Sequence, residues 1–510
     1  MSKKAIFAQT NKAYWVDVAA KLRDNYDWEI CYFIGSKQRE KVLKLFPNAV
    51  FHSKAEIRRN IVPDGCKAVK PSPLDKTLLS SLSYFESIFL KLMDRQNYNG
   101  LLTYNDRISW YHSQIMYWKG VLEHFRPDIV VYRLAPHVSH DYALYALCTI
   151  MDIPTFMFER TSLPGCQYPV RSFEEGSEII RRAYAETLET DNQKEVSLTS
   201  ETASHLENLS KTYDDAMPFY LKYYVKHYKK SGDIGGPVSI LFRVAKNLVK
   251  ASLDKREDID KVPNYIHKTY HENMGHFKRK KLLSHYNTLA KPVNLSVPYV
   301  FVALQCEPER STCPAGSVFG NQYLMVDMLL KLVPRDWKIY VKEHFAQFKV
   351  YQPAERAKSL ELYSMIASMP KVELVPLTYT SFELIDKAQA SATVSGTVGW
   401  ESVVRGKPTL LFGHSWYNDC KGVFVTRTVE DCKKAIQEIE NGYTINLNEV
   451  KRFAQIVESC SVRGYIGKLY DLENIVSYEE NVDNLARAIH EFTSGPFPYT
   501  HKPKGQPLTL

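Results

Sequence analysis

Four short apolar segments in the second half of the chain each lead directly into polar residues or glycine. This repeated order constrains the fold more than any other feature. The segments span residues 299–304, 337–341, 392–394 and 408–412. Short, fully apolar runs are typical of strands buried in a parallel sheet. Because ligands bind outside the carboxyl ends of the strands in an open α/β sheet, the four strand ends predict one binding crevice.

The residues after three of these segments are the candidate ligands of a phosphorylated substrate. They are Gln305, Glu307 and Glu309 after the first segment, Lys342 and His344 after the second, and Ser395, Gly396, Thr397, Gly399 and Glu401 after the third. The third group marks a strand-to-helix turn, where small residues and a helix N-terminus favour phosphate. Lysine and histidine can hold the same phosphate, and Glu401 can accept hydrogen bonds from a ribose. If the chain stays extended, Glu307 and Glu309 point the same way. Alternatively, Glu309 only pairs with Arg310 on the surface.

The N-terminal part of the chain also alternates strands and helices. Strands are predicted at 5–8, 28–35, 129–132 and 153–158, and helices at 16–22 and 142–151, an order typical of parallel βαβ units. His137, Asp141 and Glu159 lie near strand ends, and His137 and Asp141 are spaced to share one helical face. We interpret Asp141 as a catalytic base or nucleophile, Glu159 as the second candidate and His137 as its orienting partner. In the alternative interpretation, Asp141 only caps the helix and His137 packs.

These patterns predict two doubly wound α/β domains that face a cleft, with a helical insertion. The predicted boundaries are 1–171 for the N-terminal acceptor domain, 172–295 for the helical segment, 296–480 for the nucleotide-binding domain and 481–510 for a final helix and polar tail. Residues 221–282 contain 15 lysines and arginines against 6 acidic residues. A basic helical segment can lie on an anionic membrane, although most such segments are solvated faces packed on a domain.

Composition narrows the classes of partner. The net charge of +9 suits an anionic substrate, but it is far from the charge pattern of a nucleic-acid-binding protein. The 9 cysteines form no CxxC pair, which favours reduced thiols and argues against a metal site. The sequence contains no apolar run long enough to span a bilayer. We therefore expect a cytoplasmic protein, with a peripheral position at the inner face of the membrane as a further possibility.

One block of motifs resembles a known family. The motifs are Gln305-Cys306-Glu307-Pro308-Glu309, Lys342-Glu343-His344, Ser395-Gly396-Thr397-Val398-Gly399-Trp400-Glu401 and Gly406-Lys407-Pro408. Over residues 298–417 they resemble the bacterial capsular polysaccharide biosynthesis proteins, which include the β-Kdo transferases. The resemblance is weaker over 126–159, and it does not extend to the helical segment.

The resemblance implies a GT-B fold, in which two Rossmann-like domains hold the donor and the acceptor. It also implies a glycosyltransferase without a metal or other cofactor, which uses a CMP-activated sugar such as CMP-Kdo and a glycan or glycolipid acceptor. The family has a His-Pro pair at the nucleotide site, where this chain has His344-Phe345.

Two other functions fit the same sequence. The first is a nucleotide-sugar epimerase or hydrolase of GT-B-like fold, which would act on the donor without an acceptor. The second is a non-catalytic partner in capsule assembly or export that keeps the fold, and Phe345 is the residue that supports it. The polar residues retained at the strand ends favour an enzyme over this partner.

Overall fold

The chain contains two compact α/β units. The computed structural model describes residues 2–94, 102–190, 196–213, 275, 277–349, 354–467 and 476–495. The first unit combines Met1–Met93, Tyr104–Glu195 and Ala454–Leu510, and the second combines Asp94–Thr103 and Val196–Phe453.

The first unit is built on a seven-stranded sheet with the order β13-β6-β5-β4-β1-β2-β3. Its strands are β1 (Lys3–Thr10), β2 (Trp28–Gly35), β3 (Val50–Ser53), β4 (Ile129–Leu134), β5 (Thr155–Arg160), β6 (Cys166–Val170) and β13 (Val462–Arg463). The strands from β3 to β5 pair in parallel, whereas β6 pairs antiparallel with both β5 and β13. Because helices cover a parallel sheet on both faces, β1 is buried from Ala5 to Thr10 and β4 is buried at every residue except Arg133.

The helices of this unit follow the strands in βαβ order. They are α1 (Ala13–Tyr26), α2 (Arg39–Leu45), α3 (Lys54–Arg58), α4 (Lys76–Ser81), α5 (Ser83–Met93), α6 (Tyr104–Phe125), α7 (Ser139–Ile150), α8 (Glu178–Thr190) and α19 (Tyr478–Ser494). Helix α19 packs against α1, and its Leu485, Ala486 and Ile489 are fully buried in the same core as Trp15 and Leu22. The C-terminal helix therefore completes the first unit.

The second unit is built on a parallel six-stranded sheet with the order β12-β11-β10-β7-β8-β9. Its strands are β7 (Tyr299–Ala303), β8 (Lys338–Lys342), β9 (Val372–Leu374), β10 (Ala390–Thr393), β11 (Thr409–Leu411) and β12 (Val423–Val425). Its helices are α9 (Ser200–Ser210), α10 (277–289), α11 (Gln322–Leu332), α12 (Ala346–Lys349), α13 (Ala354–Ala357), α14 (Leu360–Ser368), α15 (Ser381–Lys387), α16 (Thr397–Val404) and α17 (Val429–Glu440). Helix α18 (Leu447–Ser459) spans the boundary between the units.

The predicted α/β fold with two doubly wound sheets is confirmed. The domain limits differ from the predicted ones, because the chain returns to the first unit after residue 453 instead of ending the second domain at 480. Most of the basic segment 221–282, and with it the predicted membrane contact, lies outside the described residues. Within the described chain, no helix is both long and apolar enough to cross a membrane.

Candidate functional site

The second sheet changes direction between β7 and β10. The chain adds β8 and β9 beyond β7 on one side, and β11 and β12 beyond β10 on the other. At such a topological switch point, ligands bind outside the carboxyl ends of the strands. The loops after β7, β8 and β10 hold the candidate residues of the C-terminal half, so the switch point brings these loops to one edge of the sheet.

Gln305 lies at the switch point and connects the ends of the two central strands. Its side chain is buried, with 6% of its surface exposed. The hydrogen-bonding pattern assigns the amide oxygen to the side that faces the Ser395 and Gly396 N–H groups, and the Ser395 nitrogen lies 2.8 Å away. The hydroxyl of Thr393, the last residue of β10, lies 3.1 Å from the same amide. The first two N–H groups of the turn therefore bind the protein's own side chain.

The rest of this turn leads into α16 and presents further donors. The Thr397 side chain is exposed, and its hydroxyl donates to Glu401 Oε1 over 3.0 Å. The Ser395 hydroxyl instead donates to the Ser311 carbonyl over 2.7 Å. No side chain caps α16, and the first N–H groups of a helix have no acceptor within it. Burial raises the pKa of the Glu401 carboxyl, and the Thr397 hydrogen bond and Arg405 oppose that shift.

The two glycines of the turn are needed for packing. A Cβ on Gly396 would lie 2.6 Å from the Gln305 amide nitrogen position. A Cβ on Gly399 would collide with the Tyr417 hydroxyl, which donates to the Gly396 carbonyl. Side chains of this protein therefore account for both glycines, whereas the sequence argument attributed them to the approach of an anion.

The end of β8 is fixed by a buried ion pair. Glu343 and Lys358 both have fully buried side chains, and the Lys358 ammonium lies 2.7 and 2.8 Å from the two carboxylate oxygens. The Tyr363 hydroxyl and the backbone N–H of His344 also donate to this carboxylate, each over 2.7 Å. The ammonium group donates in addition to the Gln305 carbonyl over 2.8 Å, so it bridges the loops after β7 and β8.

His344 is held in one tautomer beside this pair. Its Nδ1 accepts the Ala346 N–H over 3.2 Å, so in the neutral ring the proton is on Nε2. Burial, together with the Lys342 and Lys358 ammonium groups, lowers the pKa of His344 to about 4. Burial also lowers the pKa of Lys342. At neutral pH, His344 is therefore a hydrogen-bond donor without a charge.

The two carboxylates after β7 do not act as a pair. Glu307 is buried, and its Oε1 accepts from Gln322 Nε2 over 2.8 Å, whereas Glu309 is exposed. Strand β7 ends at Ala303, and the chain turns at the cis peptide before Pro308. The alternation of side chains expected of an extended segment is therefore absent here.

The first unit has its own switch point between β1 and β4, and Asp141 lies near it. Asp141 and His140 are fully buried in the first turn of α7, with His140 Nε2 3.4 Å from Asp141 Oδ1. Burial lowers the pKa of His140 to about 4. Neither Asp141 oxygen accepts a hydrogen bond of good geometry within the described residues. Such a buried carboxylate is costly, and buried polar groups of this kind are uncommon.

The structure does not place His137 and Glu159 where the sequence predicted them relative to Asp141. His137 precedes α7, which begins at Ser139, so it shares no helical face with Asp141. Its Nδ1 donates to the Ala135 carbonyl over 2.9 Å. Glu159 lies within β5 and is half-buried. The expectation that His137 and Asp141 lie on one helical face is therefore wrong, and His140 is the imidazole beside Asp141.

Sequence reasoning missed several residues of these sites. Lys358, Gln322 and Tyr363 contact the loops after β7 and β8, but each lies at least 15 positions from the residue it contacts. No local pattern distinguishes them from surface residues. Among the described residues, no group of three or more His, Cys, Asp or Glu side chains could hold a metal ion.

Comparison with known proteins finds no matching family model and no matching curated protein. Solved structures with partial likeness include a UDP-GlcNAc 2-epimerase from Methanocaldococcus jannaschii, 12% identical, covering 90% of this chain and 100% of that one, with a TM-score of 0.24. They also include the KpsC β-Kdo 2,7 transferase from Thermosulfurimonas dismutans. It is 10% identical, the match covers 76% of this chain and 90% of that one, and the TM-score is 0.29. The KpsC β-Kdo 2,4 transferase from the same organism is 14% identical. The match covers 64% of this chain and 79% of that one, and the TM-score is 0.27. Likeness at these TM-scores carries no argument about activity.

Proposed function

We propose that this chain is a glycosyltransferase that binds a nucleotide-activated sugar at the carboxyl edge of its second sheet. The observation that supports this proposal is the convergence of Gln305, His344 and the turn at Ser395–Thr397 on the switch point between β7 and β10. Both kinds of donor that a diphosphate or monophosphate needs, helix N–H groups and neutral or cationic side chains, belong to these loops.

The phosphate would bind at the head of α16. Because the Ser395 and Gly396 N–H groups already bind Gln305, the donors for phosphate would be the next N–H groups along the helix. The Thr397 hydroxyl would join them by turning away from Glu401. The Lys342 ammonium and the His344 Nε2–H would stabilise the charge that develops on the leaving group. Glu401 would accept hydrogen bonds from the ribose.

The sequence resemblance supports the remaining assignments. They are a CMP-activated sugar as donor and a glycan or glycolipid of bacterial surface polysaccharide as acceptor, whereas contact with an anionic membrane is proposed from the basic segment 221–282. In the first unit, Asp141 would act on the acceptor, with Glu159 as the second candidate and His137 nearby in sequence. The buried Asp141 carboxylate, without a well-formed hydrogen bond in the described chain, supports that role.

A thermal-shift titration with CMP, UDP, GDP and their sugar conjugates tests the donor site. A ligand at a hundredfold excess over its Kd adds about 2.7 kcal/mol to the free energy of unfolding. We expect CMP or a CMP-sugar to raise the Tm. Lys342→Met, at the carboxyl end of β8, should remove that shift. Lys338→Met, at the other end of the same strand, is the matched control and should keep it.

Three outcomes would change the proposal. A wild-type protein that responds to no nucleotide at millimolar concentration is not a nucleotide-sugar enzyme. A protein that consumes the nucleotide sugar at full rate without an acceptor is an epimerase or hydrolase instead. A response to UDP or GDP alone would keep the transferase and replace the donor.

A further inference from the structure

The buried pair of Lys358 and Glu343 is saturated with hydrogen bonds. A lysine ammonium group has three donors, and Lys358 directs them to Glu343 Oε1, Glu343 Oε2 and the Gln305 carbonyl. The carboxylate accepts two further hydrogen bonds, from the Tyr363 hydroxyl and from the backbone N–H of His344. A pair with this geometry can be retained in the interior, where an isolated charge could not.

The pair of Lys358 and Glu343 connects the loops that follow β7 and β8, beyond the last hydrogen bonds of the sheet. Strand β7 ends at Ala303 and β8 ends at Lys342, so the loops beyond them leave the ladder. Lys358 holds the first loop by the Gln305 carbonyl and the second by Glu343. It comes from the segment between α13 and α14, which belongs to neither loop. A third segment therefore bridges the two loops. Gln347, which follows β8, also joins them, because its side chain bonds the N–H and the carbonyl of Glu307 over 2.7 and 3.1 Å.

The two loops carry the side chains that would meet the nucleotide. The Gln305 side chain binds the N–H groups at the turn before α16, and the His344 ring takes its orientation from the Ala346 N–H. The Gln322 side chain supports the first loop independently, because it bonds both the N–H and the carbonyl of Gln305. Since Gln347 still joins the loops at Glu307, loss of Lys358 should change the placement of Gln305 relative to Glu343 and His344 and leave the first loop itself intact.

We propose that Lys358 is a positioning residue of the donor site, which holds Gln305 and, through Glu343, His344 at a fixed separation across the ends of β7 and β8. The proposal rests on the donor site described under the proposed function. The backbone N–H of His344 donates to the Glu343 carboxylate, so the pair positions the backbone that carries the imidazole. A purely structural pair would contribute stability without affecting that ring.

The double variant Glu343→Gln/Lys358→Met tests this role without leaving a buried unpaired charge. The matched control is Glu373→Gln/Lys338→Met, which removes the half-exposed pair between β8 and β9, 3.1 Å apart. One readout needs no nucleotide: the ¹⁵N shifts of the His344 imidazole, assigned with His344→Gln. The second readout is the Kd for the nucleotide that the wild type binds best. Far-UV circular dichroism and a cooperative melt establish that each variant folds.

We expect the wild type and the control to show one His344 tautomer, with the proton on Nε2, and the double variant to show a mixture. We also expect the Kd of the double variant to rise at least tenfold and that of the control to change less than twofold. A folded double variant with a single Nε2–H tautomer and an unchanged Kd overturns the proposal. If the wild type binds no nucleotide, the proposed function fails, and the tautomer comparison alone decides the role of Lys358. If the double variant does not fold, Lys358→Arg, which keeps the charge, is measured in the same way. A positioning role predicts a changed tautomer ratio of His344 in the folded variant. An unchanged ratio contradicts the proposal.

Discussion

Three histidines are neutral at pH 7 because burial lowers their pKa to about 4. They are His52 and His140 in the first unit and His344 in the second. Both ring nitrogens of His52 form hydrogen bonds. Its Nδ1 lies 2.8 Å from the Tyr32 hydroxyl, and its Nε2 lies 2.9 Å from the Ile61 carbonyl. Since the Ile61 carbonyl can only accept, Nε2 carries a proton, and in the neutral ring Nδ1 accepts from the Tyr32 hydroxyl.

Acid should destabilise the protein through these residues. An unfolded histidine titrates near ~6.5, so the unfolded chain binds more protons than the folded chain between that pH and about 4. Stability therefore falls as the pH is lowered through this window, by roughly 2 kcal/mol at pH 5 for each fully buried histidine. We expect a lower Tm at pH 5 than at pH 7. His52→Gln should reduce this difference, and His124→Gln, an exposed position, should not.

Under the proposed function, substitution of Asp141 should separate nucleotide binding from sugar transfer. Asp141→Asn should abolish sugar transfer and leave nucleotide binding nearly intact, because the donor residues belong to the second unit and Asp141 to the first. A cooperative thermal melt establishes that the Asp141→Asn variant folds. Asp152→Asn is the matched control, since Asp152 is exposed and has a left-handed φ of 54° that asparagine tolerates. Normal turnover by Asp141→Asn would show that another group is the base.

At the scale of elements, Arg405 holds α9 on the second unit. Its guanidinium forms two bonds with Asp386, of 2.6 and 2.7 Å, and donates to the Leu209 and Lys211 carbonyls at the end of α9. The ring of Phe382 lies 4.2 Å from the guanidinium carbon. A planar fork makes these contacts together, and a lysine ammonium cannot.

Arg405→Lys should therefore release the C-terminal end of α9. We expect faster hydrogen exchange of the last amides of α9 and a loss of about 1–3 kcal/mol in stability, because charged hydrogen bonds are broken. Arg335→Lys, at an exposed turn, is the control. Equal exchange in the two variants would mean that apolar packing alone holds the helix.

The elements were predictable where a local pattern determines them. Short apolar runs ending in polar residues located β7, β8 and β10, because a buried parallel strand is apolar throughout and its end is not. The pairing of Lys358 with Glu343 was not predictable, since a lysine that is buried in the fold has the same sequence surroundings as one on the surface. The partner of Asp141 was missed for a related reason: the start of α7 decides which imidazole is near, and helix ends are poorly determined by sequence.

The same limit applies to the two switch points. Gln9 near the end of β1 accepts the Leu134 N–H over 3.1 Å, and Gln305 after β7 accepts the Ser395 N–H over 2.8 Å. In both units, a glutamine at or just after the end of a central strand thus binds the backbone at or just after the end of the neighbouring strand. Neither glutamine belongs to a motif that predicts this contact, because the order of strands in the sheet creates it.

At the scale of the whole molecule, the first unit depends on residues from both ends of the chain. Leu485 of α19 is fully buried against α1. Leu485→Ala should cost about 2–5 kcal/mol by removing buried surface and leaving a cavity, and it should lower the Tm of the first unit. Nucleotide binding, measured at a temperature below that transition, should be unchanged. Leu447→Ala at an exposed position is the control. A loss of nucleotide affinity in Leu485→Ala alone would show that the core of the first unit also shapes the donor site.

The return of the chain to the first unit also affects biosynthesis. A ribosome completes the second sheet at β12, residues Val423–Val425, before it has made α19. Until then the apolar face of α1, with Trp15 and Leu22, lacks the helix that covers it. The domain that is translated first therefore reaches its folded state last, and nascent chains interrupted before residue 478 would be substrates for chaperones and proteases.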